Sequence, residues 1–152
     1  MSLKEDINAG LVAISSPNKP PELVLDNSGC CTILVPLPAS VVSLVDGQLI
    51  VQVKLSRTGR FFTLLSPIGA IQEKLNREFF KALFYRQFYA DQVSGVSIAI
   101  NAENDTLVAV YHWMLESISP QDFSSLFQGF VTATLDLLGE ISNMVEVAQN
   151  SI

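Results

Sequence analysis

A chain of 152 residues is long enough for one ordinary domain, and with 49% hydrophobic against 16% charged residues it excludes disorder and leaves apolar groups to spare for an interface. Nine Lys and Arg against fifteen Asp and Glu give a net charge of −6, which works against a phosphate backbone or an anionic bilayer and favours a basic partner if the partner is charged. Glu5 and Asp6 stand where a signal peptide needs basic and apolar regions, and no apolar run reaches the ~18–20 residues that cross a membrane, so a cytoplasmic protein is expected.

Ser2 followed by Glu5 is a capping-box pattern, and Leu3, Ile7, Leu11 and Ile14 then recur at helical spacing. This first helix must stop near Pro17, Pro20 and Pro21, which remove backbone donors and push their predecessors out of the helical region. From Leu23 to about Pro67 the period is two, with turn signals at 26–29 and at Asp46-Gly47, so a β meander is predicted. Leu49, Val51, Val53 and Leu55 share one face and Gln52 and Lys54 the other, as in a half-solvated antiparallel sheet. Residues 61–65 read as the next strand, closed by Ser66-Pro67-Ile68-Gly69, while 36–45 is assigned to no element.

Residues 71–90 lack Gly and Pro and read as a central helix with two adjoining apolar stripes, Leu75, Phe79 and Leu83 beside Phe80, Phe84 and Phe88. A surface helix buries a single stripe about 100° wide, so a second covering body is implied. A hairpin follows, with strands at 96–101 and 106–115 around a polar turn at 102–105. Its second strand is mostly apolar on both faces, which places it centrally or at a subunit interface. Ser119 N-caps a last helix with Pro120 at its first position, and helical spacing persists from Phe123 through Val145. No repeat or linker interrupts the chain, so 1–152 is read as one α+β domain of order α-β-β-β-α-β-β-α, a twisted antiparallel sheet packed with helices.

The residues for chemistry are few. His112 is the single histidine, flanked by Tyr111 and Trp113, and reads as a structural or interface residue ahead of a catalytic base. Cys30 and Cys31 are adjacent, which strains a disulfide, and they have no second pair at metal-binding spacing. No phosphate-cradling glycine loop, calcium loop or nucleophile elbow occurs. No catalytic residue, cofactor or metal is therefore assigned, and recognition of a protein surface is the positive expectation.

The chain resembles the class I type III secretion chaperones, the Tir chaperone-like (CesT) family. The resemblance rests on 21–35, on Phe62-Thr63-Leu64-Leu65-Ser66-Pro67-Ile68-Gly69, on 95–101 with Leu107-Val108-Ala109-Val110, and on Ser119-Pro120-Gln121-Asp122-Phe123. It implies a homodimer that holds the N-terminal segment of a secreted effector in extended form without ATP, with no nucleic acid or membrane partner. It further implies a dimer interface at Phe80, Phe84, Phe88, Tyr111 and Trp113, and peptide contacts at Leu3, Ile7, Leu11, Ile14, Leu23, Leu25, Ile33 and Val35. The alternatives are a chaperone-like interaction or regulatory domain unrelated to secretion and, third, a small-ligand protein or enzyme using Cys30, Cys31 or His112.

Overall fold

The computed structural model describes residues 2–15, 23–36, 48–70, 77–88 and 95–150. Its order is α1 (Leu3–Ile14), β1 (Cys30–Pro36), β2 (Gln48–Leu55), β3 (Phe62–Ala70), α2 (Arg77–Phe88), β4 (Ser97–Asn101), β5 (Thr106–Trp113) and α3 (Pro120–Asn150). This is the predicted α+β sequence of elements, and the stretches 36–45, 71–76 and 89–90 of the sequence reading lie wholly or mostly outside the described residues.

The helix boundaries follow from local chemistry. Ser2 Oγ accepts the Glu5 backbone N–H at 3.2 Å, satisfying one of the donors that a helix N-terminus leaves over. Ser119 does the same for α3, accepting from Asp122 N–H at 3.1 Å ahead of Pro120, whose missing donor costs nothing at the first helical position.

The five strands form one sheet in the order β1-β2-β3-β5-β4, every neighbouring pair antiparallel. Residues 66–69, read from sequence as the end of a strand, instead continue β3 to Ala70. A bulge between Pro67 and Gly69 lets the strand carry a proline and still pair with β5, since the inserted residue breaks the ladder locally.

One face of the sheet carries the core. Leu49, Val51 and Val53 of β2, Phe62 and Leu64 of β3 and Ala109 of β5 are fully buried there. They pack in one cluster with Leu3, Ile7 and Leu11 of α1, with Phe79 and Leu83 of α2, and with Phe123, Phe130 and Leu137 of α3. Burying each Leu, Ile or Phe removes about 1.5–3 kcal/mol worth of apolar surface from water, so this cluster outweighs any single polar contact. The opposite face contributes no member of the cluster and no apolar residue packed against it.

Two polar tethers position α1. Asp6, buried at 8% exposure, accepts the Ile118 backbone N–H at 3.2 Å through Oδ2 and so fixes α1 to the entry of α3. Asn8 accepts the Leu25 N–H at 2.9 Å through Oδ1 and draws the approach to β1 against the helix.

Candidate functional site

The edge strand β1 is where the structure leaves main-chain hydrogen bonding open. Gly29 C=O accepts from Leu55 N–H at 2.8 Å, so in the antiparallel ladder residues 31, 33 and 35 turn their N–H and C=O groups toward β2 and residues 30, 32 and 34 turn theirs outward. Cys30 is satisfied by the preceding turn, donating to Asp26 Oδ1 at 3.0 Å and accepting from Asp26 N–H at 2.8 Å. The outward groups of Thr32 and Leu34 find no partner among the described residues.

That turn is well braced. Asp26 Oδ1 also accepts the Ser28 hydroxyl at 2.6 Å and the Ser28 N–H at 2.8 Å, and Gly29 adopts φ 81°, a conformation that a Cβ disfavours. The Ser28 hydroxyl and the Cys30 N–H hold the Asp26 carboxyl below the ordinary carboxylate range. Burial pushes the Cys31 thiol up, away from the thiolate that redox or metal chemistry requires.

The residues expected to touch a peptide fall into two groups. Leu3, Ile7, Leu11, Leu25 and Ile33 are buried in the core cluster, whereas Ile14, Leu23 and Val35 are half-buried at its margin. The exposed apolar residues near this edge are others: Val12 at 59%, Val24 at 57% and Leu34 at 56%. Val12 lies one helical turn beyond Asn8, on the face of α1 that holds the Val24–Leu25 segment. The sequence held a signal for it, since Val12 falls just off the 3-7-11-14 stripe that the core uses.

The second cluster lies between α2 and the other edge strand. Phe80, Leu83 and Phe84 of α2 face Ile98, Ile100 and Leu107 across a groove of about 260 Å³ lined by apolar side chains. Phe79 and Leu83 form the buried stripe of α2, while Phe84 is 70% exposed. Of the second predicted stripe, Phe80 is half-buried against the core cluster and Phe84 stands at the surface; Leu75 and the Phe88 side chain lie outside the described residues. Tyr111 and Trp113 are half-buried at the core margin. Trp113 stacks on Phe62 with ring centroids 6.2 Å apart and donates from Nε1 to Ser117 C=O at 3.2 Å. It sits six residues along β5 from Leu107, roughly 20 Å at strand rise, so the structure does not bring it together with Phe84.

His112 is exposed on the sheet face away from the helices, with Nδ1 3.0 Å from Thr63 Oγ1 on the neighbouring strand. Among the described residues no three His, Cys, Asp or Glu side chains gather closely enough to hold a metal, and no helix is long and apolar enough to cross a membrane.

No family model matches the chain, and no curated protein matches it in sequence. Solved structures share its fold. A chain from the structure of the ExsC-ExsE complex superposes with a TM-score of 0.66 at 15% identity, covering 87% of this chain and 90% of that one. A chain from the HopA1-SchA chaperone-effector complex gives 0.58 at 12% identity, covering 83% and 91%. At these identities the likeness is one of fold: an α+β architecture with a five-stranded antiparallel sheet packed against helices.

Proposed function

We propose that this chain, built on a fold also seen in a chaperone-effector complex, is a cytoplasmic type III secretion chaperone without enzymatic activity. It holds the N-terminal segment of a secreted effector in extended form, as a homodimer and without ATP. The observation that carries this reading is the edge of β1, where the outward groups of Thr32 and Leu34 find no partner among the described residues and the Val24 and Leu34 side chains are exposed. An extended segment added there gains main-chain hydrogen bonds and sets alternate side chains against apolar surface, the recognition mode of strand addition. Of the residues expected to contact the peptide, Ile14, Leu23 and Val35 are accessible enough to join it, while Leu3, Ile7, Leu11, Leu25 and Ile33 support it from the core. The dimer uses exposed Phe84 and half-buried Phe80 of α2, against the β4 edge.

The test is a proline at position 32. Thr32→Pro deletes an outward N–H and no ladder bond, a place where sheets tolerate proline, so the variant should keep its far-UV spectrum and thermal midpoint within a few degrees. The partner recovered with the wild type from its own cell, identified by mass spectrometry and remade as an N-terminal peptide, should bind the variant at least about tenfold more weakly. Equal binding to both proteins would remove strand addition at β1 from the reading.

A further inference from the structure

The face of the sheet turned away from the helices has a composition unlike the rest of the molecule. The β1–β2, β2–β3, β3–β5 and β4–β5 registers align its residues in rows across the strands. Leu34 pairs with Ile50, and Val108 lies between Pro67 and Ala99, all apolar; the next row holds Leu65 and Val110 beside Thr32, Gln52 and Ser97; the last holds Cys30, Lys54, Thr63 and His112. Val108 and Val110 are buried, yet neither belongs to the core cluster, because they floor a groove of about 230 Å³ on this outer face.

Charge is divided in the same way. In a chain of net charge −6, the described strand residues of this face include no Asp or Glu, and Lys54 is their one formal charge. The β2–β3 hairpin that continues the Lys54 end adds exposed Arg57 and Arg60, of which Arg60 lies 3.9 Å from Glu116. Asp26 beside Cys30 is the other carboxylate at this end, and its Oδ1 is taken by the turn. Against this, α3 on the helix side carries Asp122, Asp136, Glu140 and Glu146 and no basic residue.

We propose that this open face docks an amphipathic helix of a partner protein, apolar along one side and acidic at the end that meets Lys54 and Arg57. The choice of a helix follows from hydrogen bonding. The middle of a sheet face offers no free main-chain groups, so an extended segment laid across it would bury unpaired N–H and C=O groups, whereas a helix satisfies its own. The size fits as well: a helix about 10 Å across covers two strands spaced about 4.8 Å apart, and the rows from Val108 to His112 on β5 span about 14 Å, or some nine helical residues. The acidic end follows from charge complementarity, since Lys54 and Arg57 have no ion-pair partner among the described residues. This surface shares Thr32 and Leu34 with the β1 edge and Ala99 and Ile100 with the α2 groove, but its centre at Leu65, Val108 and Val110 belongs to neither.

Synthetic 18-residue helical peptides with a leucine stripe and either three Glu or three Lys at one end provide the probe, read by fluorescence anisotropy and by methyl shifts of the full chain. The Glu peptide is expected to bind, to shift Leu65, Val108 and Val110, and to lose about three- to tenfold in affinity on Lys54→Glu. The Lys peptide is expected to gain from the same exposed substitution, which should leave the fold intact. Gln52→Glu, a second exposed change on the face, is expected to act in the same direction. Equal binding of the two peptides would overturn the proposal, as would methyl shifts confined to Leu83 and Ile98 of the α2 groove or to Val24 and Val35 beside the β1 edge. So would open-face shifts that appear with protein concentration alone, which would make the occupant a second copy. Binding to phosphatidylglycerol vesicles in place of either peptide would assign the face to a membrane and overturn it too.

Discussion

Gly10 stands where a methyl group cannot go. A Cβ there would lie 2.4 Å from Cγ of Phe123, whose ring is fully buried between α1, Phe62 and α3, so the glycine is what lets the two helices approach. Alanine is the better helix former by about 0.5–1 kcal/mol, but overpacking a filled core costs about 1–3 kcal/mol, and the collision wins. Gly10→Ala is expected to lower the urea midpoint and to shift the Phe123 ring resonances. Asp26 supplies a pH dependence of definite sign. Its carboxyl is held below the ordinary range by Ser28 and Cys30, so its contribution is present above the unfolded carboxylate value of about 3.9 and is lost as pH falls through the folded one. A carboxyl-detected NMR titration should find Asp26 titrating below an aspartate that accepts no such hydrogen bonds, with the amide signals of 28–30 shifting in step. Asp26→Asn keeps an acceptor and should abolish that acid limb.

The long helix α3 responds in the opposite way to the same substitution. Gly129 and Gly139 are exposed, and a Cβ at either would meet nothing within 4 Å. Only backbone entropy is at stake, and each Gly→Ala change is expected to stabilise the protein by about 0.5–1 kcal/mol in denaturant unfolding. Among strands, β3 shows why a local reading of Ser66-Pro67-Ile68-Gly69 stops too early. Proline and glycine are punctuation in isolation, but the bulge between Pro67 and Gly69 absorbs the irregularity while the remaining residues stay in register with β5. The two edges also differ: β1 presents main-chain groups at Thr32 and Leu34 that have no partner among the described residues, whereas the β4 side presents the apolar groove under α2.

At the scale of the whole molecule, apolar surface that the monomer does not bury is concentrated at separate places. Phe84 is the most exposed of the large hydrophobic side chains described. Phe84→Glu is therefore expected to leave the monomer folded, with unchanged far-UV circular dichroism, and to convert a dimer into monomers in sedimentation, because pairing would bury an unpartnered charge. Leu83→Glu, one residue away but buried, should unfold the protein instead. A folded dimer that survives Phe84→Glu would move the contact off this helix.

Periodicity and capping in the sequence were enough to determine the order of elements and the core stripe of each helix, because Leu3, Ile7 and Leu11, Phe79 and Leu83, and Leu49, Val51 and Val53 repeat with the period of their own backbone. The caps at Ser2 and Ser119 were legible for the same reason: they are settled within four residues. The division of apolar residues into core and surface was not. Leu25 and Ile33 carry the same chemistry as Val24 and Leu34, yet one pair is buried and the other exposed, and only strand pairing and the docking of α1 through Asn8 decide which side of the edge each takes. The outer face without a carboxylate was equally out of reach from the sequence, since its rows gather residues from strands that lie up to 82 positions apart, as Cys30 and His112 do. Local spacing sets what each element can bury; long-range register sets what it leaves for a partner.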